Sequence, residues 1–319
     1  MKNWVPYVLG FAAAALACLS PAQTYPTKPI RLVVSFAAGG PADIISRVIA
    51  DQLTERLGQQ VIVDNRVGAG GVVGSTVAAK ARPDGYTLLN IGSAFTISPS
   101  LYELTFDPVK DFAPVAKLGT APYVLAVHSG LSVNTVKDLI ALGKQKPGSL
   151  TFGAAGAGSF THLATELFRM SAGIEILIVQ YKGGGLVMAD LLGGHTQAYI
   201  GGLTQLIPHI RSGKIKALGN TGSTRSAVLP DVPTIAEAGV SGYDASNWWG
   251  LLVPAGTPRT IIDRLNKELS VVLTSAKTKK FFVDEGGDVS YLAPSEFSPF
   301  VASEIAKWAR VVKEGKIQR

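Results

Sequence analysis

The chain has 319 residues, of which 47% are hydrophobic, and its 30 Lys and Arg against 23 Asp and Glu give a formal net charge of +7. That length exceeds what one hydrophobic core usually spans, so about two domains are expected. The basic balance suits small anions but not nucleic acid: no stretch packs Lys and Arg with interleaved aromatics, and Lys277-Thr278-Lys279-Lys280 reads as a solvated helix end.

Lys2, an apolar run from Val8 to Leu19 and Ser20-Pro21-Ala22 predict a secretory signal peptide over residues 1–22, cut after Ala22. The run falls short of the ~20 residues that cross a bilayer, so the expected product is an exported, periplasmic protein. Cys18, the single cysteine, lies inside this segment, and Ala15-Leu16-Ala17-Cys18 resembles a lipoprotein box only loosely. Cleavage after Ala22 leaves no thiol for disulfides, thiolate metal sites or a cysteine nucleophile.

The next stretch organises the rest. Residues 30–36 are β-branched and apolar, a buried strand; Ile44, Ile45, Val48, Ile49, Leu53 and Leu57 then keep helical spacing until Gly58. Between them stand Ala37-Ala38-Gly39-Gly40-Pro41-Ala42-Asp43, with Pro41 suited to a first helical position. A Gly loop opening a helix offers free N–H groups and the positive end of the helix dipole, which favours an anion. The alternative is a plain tight turn.

Strands are expected over 60–65 and 86–91, with a small-residue helix over 74–81 between them and a turn at Arg82-Pro83-Asp84-Gly85. The alternation argues for a parallel sheet with helices on its faces and ligands at the strands' carboxyl ends. The pattern then restarts: strand 124–127, helix 133–144, strand 150–153 and helix 159–171. Ala154-Ala155-Gly156-Ala157-Gly158-Ser159 is a second Gly-rich strand-to-helix loop, so a pocket closed from two sides is expected. Further strands are expected at 176–181, 197–200 and 215–218, with helices from Leu186 and near Gln205; Arg225 to Pro233 reads as a connector. The C-terminal third has a strand over 246–253, a helix over 259–273 and a last helix over 295–313.

Enzyme readings find little. No G-x-S-x-G elbow occurs. Ser159 and His162 fall on one helix three residues apart, but no acidic third member can be placed. His128, His195 and His209 are scattered, which supports no metal site. Gly68-Ala69-Gly70-Gly71-Val72-Val73-Gly74 misses the dinucleotide spacing, because Val73 occupies the last glycine position. No cofactor is expected.

In order along the chain, Tyr25-Pro26-Thr27-Lys28-Pro29-Ile30-Arg31, Gly39-Gly40-Pro41-Ala42-Asp43, Val63-Asp64-Asn65-Arg66, Pro83-Asp84-Gly85-Tyr86-Thr87-Leu88-Leu89, Asp107-Pro108-Val109-Lys110-Asp111-Phe112, Tyr181-Lys182-Gly183, Leu229-Pro230-Asp231-Val232-Pro233 and Pro254-Ala255-Gly256-Thr257-Pro258 form a set. This set resembles the periplasmic solute receptors of tripartite tricarboxylate transporters, the Bug receptors. The resemblance implies an α/β, two-lobed periplasmic-binding-protein-like fold of type II, each lobe a mainly parallel sheet flanked by helices with the ligand cleft between. Lobe 1 would comprise residues 23–122 and 225–319, and lobe 2 residues 123–224.

It further implies a non-enzymatic, monomeric receptor that closes on a small carboxylate: a di- or tricarboxylate, an aromatic carboxylate or an amino acid. The membrane components of the transporter would be its partners, or a sensor protein if the receptor is an orphan. Carried onto this chain, the ligand contacts are Phe36, Gly39, Gly40 and Asp43 of the first loop, Ser93 and Ala94 nearby, and Ala155, Gly158, Ser159 and Thr161 of the second. This chain has Ala38 where the family commonly has proline, and Gly201-Gly202 where many members have Asp-Asn. A roomier distal pocket near Gly201 follows, with Trp248 or Trp249 as a stacking surface; core packing is the competing expectation for both tryptophans.

Overall fold

The computed structural model describes residues 25–318, so the expected signal peptide and Cys18 lie outside the described residues. Strand β1 (Ile30–Val34) runs between β2 (Val61–Asn65) and β3 (Thr87–Gly92), parallel to both. Helix α1 (Pro41–Leu57) connects β1 to β2, and α2 (Val72–Ala79) leads from β2 toward β3. The short α3 (Ser93–Ile97) follows β3 directly.

The largest departure from the sequence pattern is β4. It spans 17 residues, Phe112–His128, where only its last turn of apolar residues reads as strand. Pro114, Gly119 and Pro122 disguise the earlier part, and the strand accommodates this stretch with register shifts between Pro114 and Ala116 and between Lys117 and Gly119. Up to Pro122 the strand pairs with β9 (Ser246–Pro254); from Tyr123 it pairs with β7 (Ala198–Gly202). One strand therefore serves two halves of the molecule.

The second half repeats the plan of the first. Thr135 caps α4 (Val136–Gln145) in a capping box with Asp138, then come β5 (Leu150–Ala154), α5 (Phe160–Ala172), β6 (Ile176–Gln180), α6 (Gly184–Leu192), β7, α7 (Leu203–Arg211) and β8 (Ile215–Asn220). After β9 follow α8 (Arg259–Leu273), α9 (Ala276–Asp284), β10 (Asp288–Leu292) and α10 (Pro294–Glu314). Neither α9 nor β10 stands out in the sequence, since β10 is a half-exposed strand without clean alternation.

The sheet order is β2-β1-β3-β9-β4-β7-β5-β6, with β8 and β10 also on β4. Both ends are parallel, and the middle, around β4 and β9, is antiparallel. The α/β class holds, with helices flanking a mixed sheet. The parallel βαβ units alone are visible as strand and helix alternation; the antiparallel strands that join them return from far in sequence.

Four apolar clusters hold these layers. Ile45, Ile49 and Leu53 of α1 meet Leu265 and Leu269 of α8 against β1 and β9, while Phe297 and Val301 of α10 cover the other face with Trp248. In the second half Phe152, Leu163 and Phe168 pack with Trp308, Val311 and Val312, also of α10, and Val187 and Leu203 pack on the opposite face. Each fully buried side chain of this size contributes about 1.5–3 kcal/mol. Among the described residues no helix is long and apolar enough to cross a membrane.

Thr221, fully buried, fastens the crossing between the halves. Its hydroxyl accepts the Tyr123 N–H at 2.7 Å and donates to the Ala245 carbonyl at 2.8 Å. Two chain segments that pass between the halves are thus pinned at one side chain.

Candidate functional site

The first loop is shaped by a carboxylate that it does not expose. Asp43, 2% exposed, accepts hydrogen bonds from the Gly39 N–H, Arg47 Nε and Asn65 Nδ2, each at 2.9 Å. Asn65 Nδ2 also donates to the Phe36 carbonyl at 2.9 Å, which ties the loop to the end of β2. Burial alone would raise the Asp43 carboxyl, but the hydrogen bonds from Arg47, Gly39 and Asn65 and the Arg47 charge outweigh it and hold it at about 2. Asp43 and Gly39, both expected as ligand contacts, are therefore committed to each other and set the loop's shape. Pro41 takes the first helical position and Gly40 provides no side-chain cap. The Ala42 N–H finds no acceptor among the described residues.

The second loop is built by hydroxyls. Ser159 caps α5, its Oγ accepting from the His162 N–H at 3.3 Å and lying 3.0 Å from Thr161 Oγ1. Thr161 Oγ1 also accepts from the Ala155 N–H at 2.8 Å. Gly158 sits at φ 72°, and a Cβ there would stand 2.6 Å from Leu101 Cδ1, so glycine is required both by conformation and by space. Its N–H donates to His162 Nδ1 at 3.1 Å. Burial pushes the His162 imidazole below its usual range, although Glu166 pulls the other way. The imidazole thus accepts from the loop backbone, and Ser159 Oγ is engaged by backbone and Thr161, so the two do not form a nucleophile and base pair. The Phe160 and Thr161 N–H groups have no acceptor among the described residues.

Two helix N-termini from distant parts of the chain thereby open on one cleft. Its larger part, about 560 Å³, is walled by Phe36, Gly40, Pro41, Ala42, Ser93, Ala94, Gly158, Ser159 and Phe160, with Ile97, Leu101, Tyr102, Tyr123, Asn247 and Trp249 around them. None of the residues lining it carries a charge. A smaller part, about 280 Å³, shares Pro41, Tyr123, Asn247 and Trp249 and adds Ala155, Thr161, Gly184, Tyr199, Gly202, Leu203, Thr204, Gln205 and Glu285.

Phe36, Gly40, Ser93, Ala94, Ala155, Gly158, Ser159 and Thr161 are thus brought together as the sequence suggests. Gly201 and Trp248 are not. A Cβ on Gly201 would run into the ring of Tyr199, which occupies that side of β7 and itself lines the cleft, whereas the neighbouring Gly202 lines the cleft directly. Trp248 is 1% exposed, packs edge-on against Phe297 and Phe300 and donates from Nε1 to Glu304 Oε2 at 3.1 Å. Trp249, one residue on and therefore on the opposite face, lies in the wall of both parts of the cleft. Period-2 alternation would have separated the pair had the inward face of β9 been known. Tyr123 and Glu285 carry no motif signal and come into the site only through β4 and the end of α9.

Comparisons with known proteins identify the family of this chain. BugT of Bordetella pertussis is 39% identical over 306 residues, covering 95% of this chain and 94% of its own. An R. palustris protein solved with adipate has a TM-score of 0.77 at 35% identity, covering 92% of this chain and 99% of that one. MatC from Rhodopseudomonas palustris with bound malate gives 0.72 at 30% identity, covering 90% and 100%. Residues 45–317 match the tripartite tricarboxylate transporter family receptor, TctC. A Gly-loop cleft on this fold, a family match over most of the chain and relatives similar from end to end lead to one conclusion: the chain belongs to the TctC family of solute-binding receptors.

Proposed function

We propose that the protein is a periplasmic receptor that captures a small organic carboxylate in this cleft and presents the closed, loaded form to the membrane components of a tripartite transporter. The observation that carries the reading is the pair of helix N-termini, α1 and α5, whose Ala42, Phe160 and Thr161 N–H groups lack acceptors among the described residues and whose first turns open on a cleft with no charged side chain in the wall of its larger part. A carboxylate there accepts from amides fixed before it arrives, helped by both helix dipoles, and needs no Arg or Lys. The uncharged wall suits the carbon skeleton. Adipate and malate, bound by relatives, are ligands of this kind.

Closure follows if the contacts are better in the closed form, since a ligand shifts the equilibrium only by its differential affinity. The crossing at Pro122 and Tyr123, pinned by Thr221, is where the halves would pivot. The test is a thermal-shift screen of refolded protein against dicarboxylates, tricarboxylates, aromatic carboxylates, amino acids and neutral sugars. A ligand at about a hundred times its dissociation constant stabilises the native form by about 2.7 kcal/mol, a shift of several degrees. Shifts confined to carboxylates support the proposal; no shift from any carboxylate defeats it.

A further inference from the structure

The smaller part of the cleft contains a group that the carboxylate reading does not use. Glu285 is the C-cap of α9, half-buried in the cleft wall. Its backbone is fixed, with its N–H on the Phe281 carbonyl at 3.0 Å, and the next glycine bonded through its carbonyl to Ser226 Oγ at 2.7 Å. Its carboxyl group, by contrast, accepts no hydrogen bond and meets no cation among the described residues, burial and the like charge of Asp284 being the influences on it, although the chain is basic overall. No Lys, Arg or His shares the lining of either part.

An unpaired carboxylate costs free energy in a half-buried wall, and both burial and the neighbouring Asp284 raise its affinity for a proton. Its charge acts on whatever fills the cavity. A second carboxylate there meets like-charge repulsion, whereas an ammonium gains a charge-assisted hydrogen bond and relieves an uncompensated charge. The amide-lined loops line this same part of the cleft, at Pro41, Ala155 and Thr161. We infer that Glu285 is a specificity-determining residue and that the preferred solute is an amino carboxylate, its carboxylate on the helix N-termini and its protonated amine at Glu285.

This rests on the carboxylate reading and is separable from it. The experiment measures dissociation constants calorimetrically for refolded protein with three matched sets: γ-aminobutyrate, succinate and butyrate; δ-aminovalerate, glutarate and valerate; ε-aminocaproate, adipate and caproate. Lysine is added as an α-amino acid with a second amine. The wild type should bind the amino member of at least one set, or lysine, at least about tenfold more tightly than the matched dicarboxylate. Glu285→Gln keeps the shape and removes the charge, so it should shrink that ratio by at least about tenfold and improve dicarboxylate binding. A wild type that prefers the dicarboxylate in every set overturns the inference and leaves the receptor reading standing, and this arm needs no variant. So does an unchanged ratio in a folded Glu285→Gln protein. Failure of every carboxylate overturns both.

Discussion

At the scale of single residues, Asp43 shows how a buried carboxylate organises a loop from within. Its three hydrogen bonds hold the Gly39 turn and leave the Ala42 amide open. Because its folded pKa of about 2 lies below the ordinary 3.8, the unfolded chain binds the proton more readily. The stability it contributes is therefore complete above pH 3.8 and lost as pH falls through about 2. Asp43→Asn should be less stable than wild type at neutral pH, and the gap should narrow on acidification through that window. Urea unfolding of both proteins along a pH series checks this; parallel curves down to pH 2 would contradict it. Glycine placement made both loops legible in the sequence, and their internal hydrogen bonds were not, because Asn65 and Asp43 stand 22 residues apart.

Among elements, β4 and its fastening at Thr221 decide how the halves are joined. Replacing Thr221 by the near-isosteric Val leaves the buried Tyr123 N–H without its acceptor and the Ala245 carbonyl without its donor. A loss of about 1–3 kcal/mol is expected for such an orphaned group. On the proposed receptor reading, with the crossing as pivot, Thr221→Val should also change carboxylate affinity without touching the cleft lining, by altering the population of the closed form. Calorimetry alongside denaturant unfolding separates the effects, and a variant unchanged in both would remove Thr221 from the hinge. The strand itself was half hidden by Pro114, Gly119 and Pro122, which read as turn residues until antiparallel partners are in place.

For the whole molecule, α10 is a second brace. Phe297 and Val301 belong to the core of the first half, and Trp308, Val311 and Val312 to that of the second. Trp308 is fully buried, with Nε1 on Glu304 Oε2 at 3.2 Å and its ring against Phe160 of the second loop. Trp308→Ala should cost about 3–5 kcal/mol. It should also split the urea transition in two by freeing the halves from each other. A single transition with an unchanged midpoint would mean that β4 alone couples them.

The sequence by itself settled the local matters, the α/β alternation and both Gly-rich strand-to-helix loops, because each depends on residues within a few positions of one another. Tertiary structure decided which side chains share the cleft. Trp249 rather than Trp248 lies on the face that β9 turns to the cleft, the Tyr199 ring covers the position a side chain at Gly201 would take while Gly202 lines the cleft, and Glu285 arrives from the end of α9. Facing is fixed by register and by long-range pairing, and neither is written in the composition of a single segment.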